Sequence, residues 1–395
     1  MNLLPYPEAL ERVLHAVSPL PRETVPLGEA GGRVLGESLA SRVDLPPFDN
    51  SAMDGYALRS ADAQPLPSTL RIVGESRAGF PAAVAVGAQE CVRISTGAMM
   101  PLGANAVVMQ EDVTVENGSI IVRESVGAWE NVRFRGEDLR TGHSIATAGQ
   151  RLTAARLGLL AASGVDQVSV HRIPKVALIS TGSELQPLGA TLGPGQIYES
   201  NSLSIGELVR QCGAEVVSHR VVPDDPSATE TALREACSEA DAVLSIGGAS
   251  VGEWDLVRPS VEKLGGQLDF WRIAIRPGKP FFLGTCLGRT FFGVPGNPVS
   301  AFVTTVILVL PALRAMAGLA DTAPPTVSGI LAEPFSNRED RTHFMRVNFD
   351  ATGKIRSAGV QASHIQVPLA VAEGLLPVPP KTELASGTVV HVLRW

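Results

Sequence analysis

The chain has 395 residues, 45% of them apolar and 18% charged, with a net charge of −7. That length exceeds one ordinary core and predicts about two to four domains, while the apolar content excludes a disordered chain. The acidic balance, without a basic tract, argues against nucleic-acid binding, and Cys91, Cys212, Cys237 and Cys286 form no CxxC pair and read as reduced thiols rather than a zinc ribbon or redox motif.

The N-terminus, MNLLPYPEALERV, has no basic segment followed by a long apolar core, so no secretory signal is expected and the chain reads as cytoplasmic. Residues 7–17 carry Leu10, Val13, Leu14 and Val17 at the spacing of one helical face, ended by Ser18-Pro19. From about residue 44 to 132, short alternating runs between Gly and Pro turns predict a β-rich domain. Within it, Val113–Glu116, Asn117-Gly118 and residues 119–123 predict a hairpin, because Asn-Gly suits a type I′ turn. Residues 153–163 read as a short helix stopped by Gly164.

Residues 175–318 alternate strand, turn and helix. VALIS, EVVSHRVV, DAVLSI, QLDFWRIAI and TFFGV read as strands, residues 202–212 as a helix ended by Gly213, and Ser227 with Glu230 as a capping box. That pattern predicts an α/β fold: a mostly parallel sheet flanked by helices. The apolar run at residues 299–310 is broken by Pro311 and falls short of the roughly 20 residues of a membrane span. It reads as a buried helix. Beyond Pro324-Pro325, VSGILAEPF, HFMRVNFD, a turn at residues 350–353 and a strand at 388–393 predict a small β barrel or sandwich.

In an open parallel sheet, ligands bind beyond the carboxyl ends of the strands. Those positions hold Thr181-Gly182-Ser183-Glu184, Gly247-Gly248-Ala249-Ser250-Val251-Gly252 and Pro295-Gly296-Asn297-Pro298. Glycine turns before helix N-termini bring backbone N–H groups to an anion, so three of them in one sheet point to a phosphate or similar oxyanion. Neither a G-x-G-x-x-G fingerprint nor a P-loop is present, which argues against a nicotinamide dehydrogenase or P-loop ATPase. The acids Glu184, Asp224, Asp225 and Asp255 follow the same strands. Such acids either hold Mg²⁺ in an oxygen shell or cap helices, and Asp225 before Pro226 fits a cap. In WRIAIRPGKP, Arg272, Arg276 and Lys279 are spaced for converging heads, suited to an oxyanion. The run PPFDNSAMDGYA, residues 46–57, reads as a Pro-rich entry, an Asn-Ser turn and one acid before glycine.

Taken with RISTGAMMPLGANAVV, RGEDLR, STGSEL, YESNS, PDDP, GGASVGEWD, RPGKP and GVPGNPVSAF, in this order, that run resembles the molybdopterin molybdenumtransferase family, the MoeA proteins and the gephyrin E domain. The resemblance implies an elongated segmented domain I (23–45 and 138–170), a β-rich domain II (46–137), an α/β molybdopterin-binding domain III (1–22 and 171–319) resembling molybdopterin adenylyltransferase, and a C-terminal β-barrel domain IV (320–395). It implies a homodimer whose site joins domain III of one subunit to domain II of the other. The implied reaction inserts molybdate, as substrate, into adenylylated molybdopterin, with Mg²⁺-dependent hydrolysis and release of AMP.

By motif, the resemblance implies catalytic roles for Asp54, Thr96, Asp138, Glu184, Asp224 and Asp255, with Asp54, Glu184 and Asp255 at the metal. Substrate contacts fall on Thr181, Gly182, Ser183, Gly247, Gly248, Ser250, Gly252, Arg272, Arg276, Lys279, Pro295, Gly296, Asn297 and Pro298, with Arg346 and Ser363 as oxyanion contacts. Arg272 and Arg276 stand where the bacterial pattern has Lys. Expected partners are the substrates, a second copy of the chain, a molybdopterin adenylyltransferase and molybdoenzyme maturation proteins, with neither nucleic acid nor membrane. The competing readings are a molybdopterin adenylyltransferase, which the flanking β domains argue against, a scaffold, and a tungstate-inserting homologue.

Overall fold

The computed structural model describes residues 3–248 and 256–395. Its centre is a six-stranded sheet between two helical layers. In chain order the parts are α1 (Tyr6–His15), β1 (Lys175–Thr181), α2 (Asn201–Cys212), β2 (Glu215–Val222), α3 (Pro226–Glu239), β3 (Ala242–Ile246), α4 (Val257–Lys263), β4 (Gln267–Trp271), β5 (Phe282–Cys286), β6 (Arg289–Val294) and α5 (Pro298–Met316). The strand order is β2-β1-β3-β6-β5-β4. The first four are parallel; β5 runs antiparallel to β6, and β4 antiparallel to β5.

This is the predicted mostly parallel sheet, with one strand more than predicted. β5 lies in FFLGTC, directly after the Pro-Gly turn, where it shows no alternation. Both its faces are covered, so it reads as a plain apolar run. The predicted strand QLDFWRIAI stops at Trp271, because Arg272 takes a left-handed backbone at φ 71°.

Along β1, Val176 and Leu178 face one layer, with α1, α2 and α5, while Ala177 and Ile179 face the other, with α3 and α4. The period of two along a strand buried on both sides produces this sorting. The chain leaves β1 toward β2 on one side and returns through α3 to β3 on the other. The gap between β1 and β3 is therefore the switch point, where ligands bind in such sheets.

Two helix predictions change. The Ser227–Glu230 capping box does not form: Asp225 caps α3, as its place before Pro226 suggested, its carboxylate accepting a 2.7 Å bond from the Ala228 N–H, and Glu230 pairs with Lys263 at 2.5 Å. Proline at the first helical position fits this cap, since its missing N–H is one the helix start cannot use. Pro311 does not break α5: the helix runs 19 residues, with 89% of its most apolar window buried in the core. Residues Thr305–Val309 form a π turn, and the Leu310 N–H bonds to the Thr305 carbonyl five residues back. That wider turn admits the proline ring.

The β-rich part is a six-stranded sheet ordered Ala106–Met109, Gly55–Leu58, Glu90–Ile94, Ser68–Ser76, Ser119–Val122, Val113–Glu116. Asn117 and Gly118 at its hairpin both have positive φ, as a type I′ turn requires. The expected Asn-Ser turn is instead a short strand, Asn50–Ser51, paired with Val132–Arg133. Arg22–Pro26 pairs with Gln167–His171, and Leu39–Ala40 with Ser144–Ala146, so two distant segments form one arm around a shared core of Leu35, Leu152, Leu160 and Val170. In the C-terminal part, Thr342–Phe349 pairs with Gly374–Val378 and Ile355–Ser357, Gly374–Val378 meets Val389–Leu393, and Thr326–Ile330 pairs with the last. A Leu331–Ile355 bridge closes the ring into a barrel. The barrel is bolted to the central layer by Ile275–Arg276 pairing with Thr342 and His343, and by edge contacts of Tyr6 with Phe344 and Phe302 with Trp395 at 5.1 and 5.0 Å.

Candidate functional site

A cavity of about 790 Å³ opens at the carboxyl ends of β1, β3 and β6. Of the residues singled out from sequence, Thr181, Gly182, Glu184, Asp224, Gly247, Gly248, Pro295, Gly296, Asn297 and Pro298 line it. The turns of STGSEL, PDDP, IGG and PGNP thus meet in one place although they span over a hundred residues of chain.

The glycines act mainly by what they lack. The N–H groups of Gly182 and Gly247 are already bonded, to the carbonyls of Val222 and Val294. A Cβ on Gly247, at φ 90°, would lie 2.9 Å from Thr181 Oγ1 and 3.0 Å from its carbonyl oxygen. A Cβ on Gly182 would meet the Glu184 carboxylate at 2.4 Å, so this carboxylate folds back over the turn. Asn201 at the start of α2 donates to the Gly296 carbonyl at 2.7 Å, tying two walls together.

The acids differ in setting. Asp224 Oδ2 accepts from the Ser183 N–H at 3.0 Å, and the Asp224 N–H returns a 3.0 Å bond to Ser183 Oγ, locking the two turns in register. Glu184 is exposed, and its carboxylate takes no hydrogen bond among the described residues. Glu199, in the YESNS segment, was not singled out from sequence, yet it lines the cavity and is only 7% exposed. It accepts from Ser180 Oγ at 3.2 Å, from the Ser202 N–H at 3.0 Å and from Ser202 Oγ. His219 Nε2 lies 3.1 Å from Ser180 Oγ. Burial pushes the His219 imidazole below its ordinary range, against the pull of Glu199. The residues of this cluster come from strand ends and a helix start, and sequence spacing alone does not bring them together.

Other predicted residues lie elsewhere. Asp54 and Thr96 meet each other in the β-rich sheet: Asp54 Oδ1 accepts a 2.7 Å bond from the Thr96 N–H, and both side chains are exposed. Gly55 beside Asp54 is required by packing, since a Cβ there would lie 2.0 Å from the Val108 carbonyl oxygen. Asp138 is exposed at the domain entry, its N–H bonded to the Leu45 carbonyl. None of the three lines the cavity of its own chain. Ser250, Gly252 and Asp255 lie outside the described residues.

The cations do not converge as their spacing led us to expect. Arg272 stacks on Trp271, 3.9 Å from the ring centroid, and Arg276 pairs with Glu339 of the barrel. Lys279 is exposed, and of that segment only its neighbour Pro280 lines the cavity. The pairing of Ile275–Arg276 with the barrel strand directs Arg276 to the seam.

Arg346 is also no open oxyanion contact here. It is 1% exposed, and its guanidinium donates to the carbonyls of Val360, Ala362 and Ile365 at 2.7, 3.2 and 2.8 Å and to Gln361 Oε1 at 3.2 Å. Ser363 uses its carbonyl to accept the Val299 N–H at 3.2 Å. This clamped loop carries His364 and Gln366 into the cavity wall, two residues that sequence reading missed.

An Mg²⁺ ion, implied by the resemblance, fits the chemistry of this wall, whose carboxylates Glu184, Glu199 and Asp224 offer hard oxygen donors. Among the described residues no three such groups cluster closely enough to form a complete ligand set.

Comparison with known proteins agrees along the whole length. The family model for the MoeA N-terminal region (domain I and II) matches residues 4–164, that for a probable molybdopterin binding domain 177–315, and that for the MoeA C-terminal region (domain IV) 328–395. A molybdopterin molybdenumtransferase from Haemophilus influenzae is 40% identical over 88% of this chain and 87% of its own. Molybdopterin molybdenumtransferase 2 from Mycobacterium tuberculosis is 37% identical over 93% and 94%. The crystal structure of a molybdopterin biosynthesis MoeA protein from Pyrococcus horikoshii superposes over 100% of both chains at 32% identity, with a TM-score of 0.86. The chain belongs to the molybdopterin molybdenumtransferase family, the MoeA proteins.

Proposed function

We propose that this chain inserts molybdate into adenylylated molybdopterin in molybdenum cofactor biosynthesis, releasing AMP. The observation that carries the reading is the cavity at the β1–β3 switch point, formed by the motif turns STGSEL, PDDP and PGNP. Its size suits a ligand with a ring system and a phosphoanhydride. Gly182, Gly247 and Gly296 leave room for the phosphates to approach the backbone, and the N-terminus of α5 adds its dipole behind Pro298.

Among the described residues three carboxylates, Glu184, Glu199 and Asp224, line the wall, so a phosphate-bearing ligand needs a counter-cation. Glu184 and Asp255, with Asp54 from a second copy, would hold Mg²⁺, which would supply that charge and offset charge on the phosphate oxygens. Asp224 holds the Ser183 turn in place, and Thr96 orients Asp54. Thr181, Ser183, Gly248, Ser250, Gly252, Asn297, Lys279 and Arg272 complete the substrate contacts, and Asp138 supports the entry to the β-rich sheet. Arg276 serves the same site if it leaves Glu339. We propose a cytoplasmic homodimer in which Asp54 and Thr96 of one protomer face the cavity of the other, because neither lines the cavity of its own chain. A molybdopterin adenylyltransferase supplies the substrate, and molybdoenzyme maturation proteins receive the product.

The test is AMP release from adenylylated molybdopterin with Mg²⁺, with and without molybdate. Release that does not rise with molybdate overturns the reading. Competition by tungstate in the same assay decides which oxyanion the site prefers.

A further inference from the structure

We infer that His364 is a substrate-contacting residue of this site, its imidazole N–H donating to a tetrahedral oxyanion of the bound ligand. The inference rests on the proposed function and names a contact within it. Two independent observations carry it.

The first is charge. The described wall of the cavity contains Glu184, Glu199 and Asp224 but neither lysine nor arginine. Among these lining residues His364 alone can carry positive charge. A ligand with oxyanion groups needs donors that do not repel it, and most of the wall's ionisable groups are acidic.

The second is fixation. His364 lies between two anchored peptides. The carbonyl of Ser363 accepts the Val299 N–H at 3.2 Å, from the first turn of α5, and the carbonyl of Ile365 accepts from Arg346 Nη1 at 2.8 Å. Arg346 also holds Val360 and Ala362, and Gln361 Nε2 returns a 2.9 Å bond to the Arg346 carbonyl. A buried guanidinium spent wholly on one loop sets that loop's position. Of the two residues the loop presents at the cavity, His364 and Gln366, only His364 can carry positive charge, and it is exposed and open to a ligand. Arg346 is then a positioning residue and His364 the contact.

The oxyanion could be molybdate or a phosphate of the nucleotide, and kinetics separates the two. His364→Ala and His364→Gln are compared with wild type, varying each substrate in turn. Because His364 is exposed, both variants should keep the wild-type melting temperature. In the alanine variant we expect one KM to rise on the order of tenfold with kcat little changed, as for loss of a charge-assisted hydrogen bond, and partial recovery with glutamine, which keeps a donor. A rise in the KM for molybdate assigns the contact to molybdate; a rise in that for the nucleotide assigns it to phosphate. Unchanged values for both overturn the inference while the proposed function stands. If wild type itself shows no molybdate-dependent AMP release, the proposed function fails first. Calorimetric titrations with molybdate and with AMP then decide, and affinities equal in wild type and His364→Ala for both ligands overturn the contact.

Discussion

Asp54 accepts a 2.7 Å hydrogen bond from the backbone N–H of Thr96, so the two motifs PPFDNSAMDGYA and RISTG meet at one point on the β-rich sheet. The bond fixes an exposed carboxylate beside the paired ends of strands Gly55–Leu58 and Glu90–Ile94, yet neither residue lines the cavity of its own chain. The proposed homodimer would bring them to the cavity of the other protomer, and such an arrangement makes a prediction that a site contained in one chain does not. Asp54→Ala and Glu184→Ala should each lose turnover by on the order of a hundredfold while remaining folded dimers. Mixed and re-associated, the two inactive variants should recover about a quarter of wild-type turnover, since half the dimers are mixed and each has one intact site. No recovery on mixing, with exchange of subunits confirmed, contradicts a shared site.

Gly247 tests how tightly the cavity floor is built. Alanine there must hold a φ of 90° and place its Cβ within 3.0 Å of Thr181. Gly247→Ala should cost about 1–3 kcal/mol in chemical denaturation and weaken substrate binding, because relief requires Thr181 to move. Unchanged stability and KM would show that the floor yields freely.

Arg346 should behave as a structural clamp. Arg346→Ala removes a buried guanidinium and its bonds to the carbonyls of Val360, Ala362 and Ile365, and the expected loss is about 2–4 kcal/mol. Arg346→Lys keeps the charge but cannot reach all three carbonyls, so it should retain only part of the stability. Lysine matching arginine in thermal unfolding would show that charge alone is required.

His343 gives stability a pH dependence. It is 5% exposed, its Nε2 has no partner among the described residues, and burial, with the nearby Arg276, pushes its pKa down to about 4. The unfolded chain titrates near 6.5. A depressed pKa means that the folded state favours neutral imidazole. Its contribution is therefore complete above about pH 6.5 and is lost as pH falls toward 4. The melting temperature should drop across that window in wild type, and less steeply in His343→Gln. Parallel pH profiles would remove His343 from the account.

Much of this architecture was legible in the residues. Asn117-Gly118 forced a hairpin, Gly164 and Gly213 ended helices, and the glycine turns after VALIS, AVLSI and TFFGV met at the switch point because parallel strands leave their carboxyl ends on one edge. Contacts set by tertiary pairing were not legible. Arg276 had the spacing of an oxyanion ligand, but a two-residue pairing with the barrel turned it to Glu339. Pro311 looked like a helix stop until a π turn made room for it. Glu199 and His364 sit in the cavity wall because separate strands, turns and a clamped loop converge there, and neither lies at a telling interval from its partners.

AMP release from adenylylated molybdopterin, followed as molybdate is titrated in the presence of Mg²⁺, is the decisive measurement for molybdate insertion. If this chain inserts molybdate, release rises and saturates with molybdate, and molybdenum is found bound to the pterin product. Release indifferent to molybdate, or adenylylated product accumulating instead, would contradict insertion.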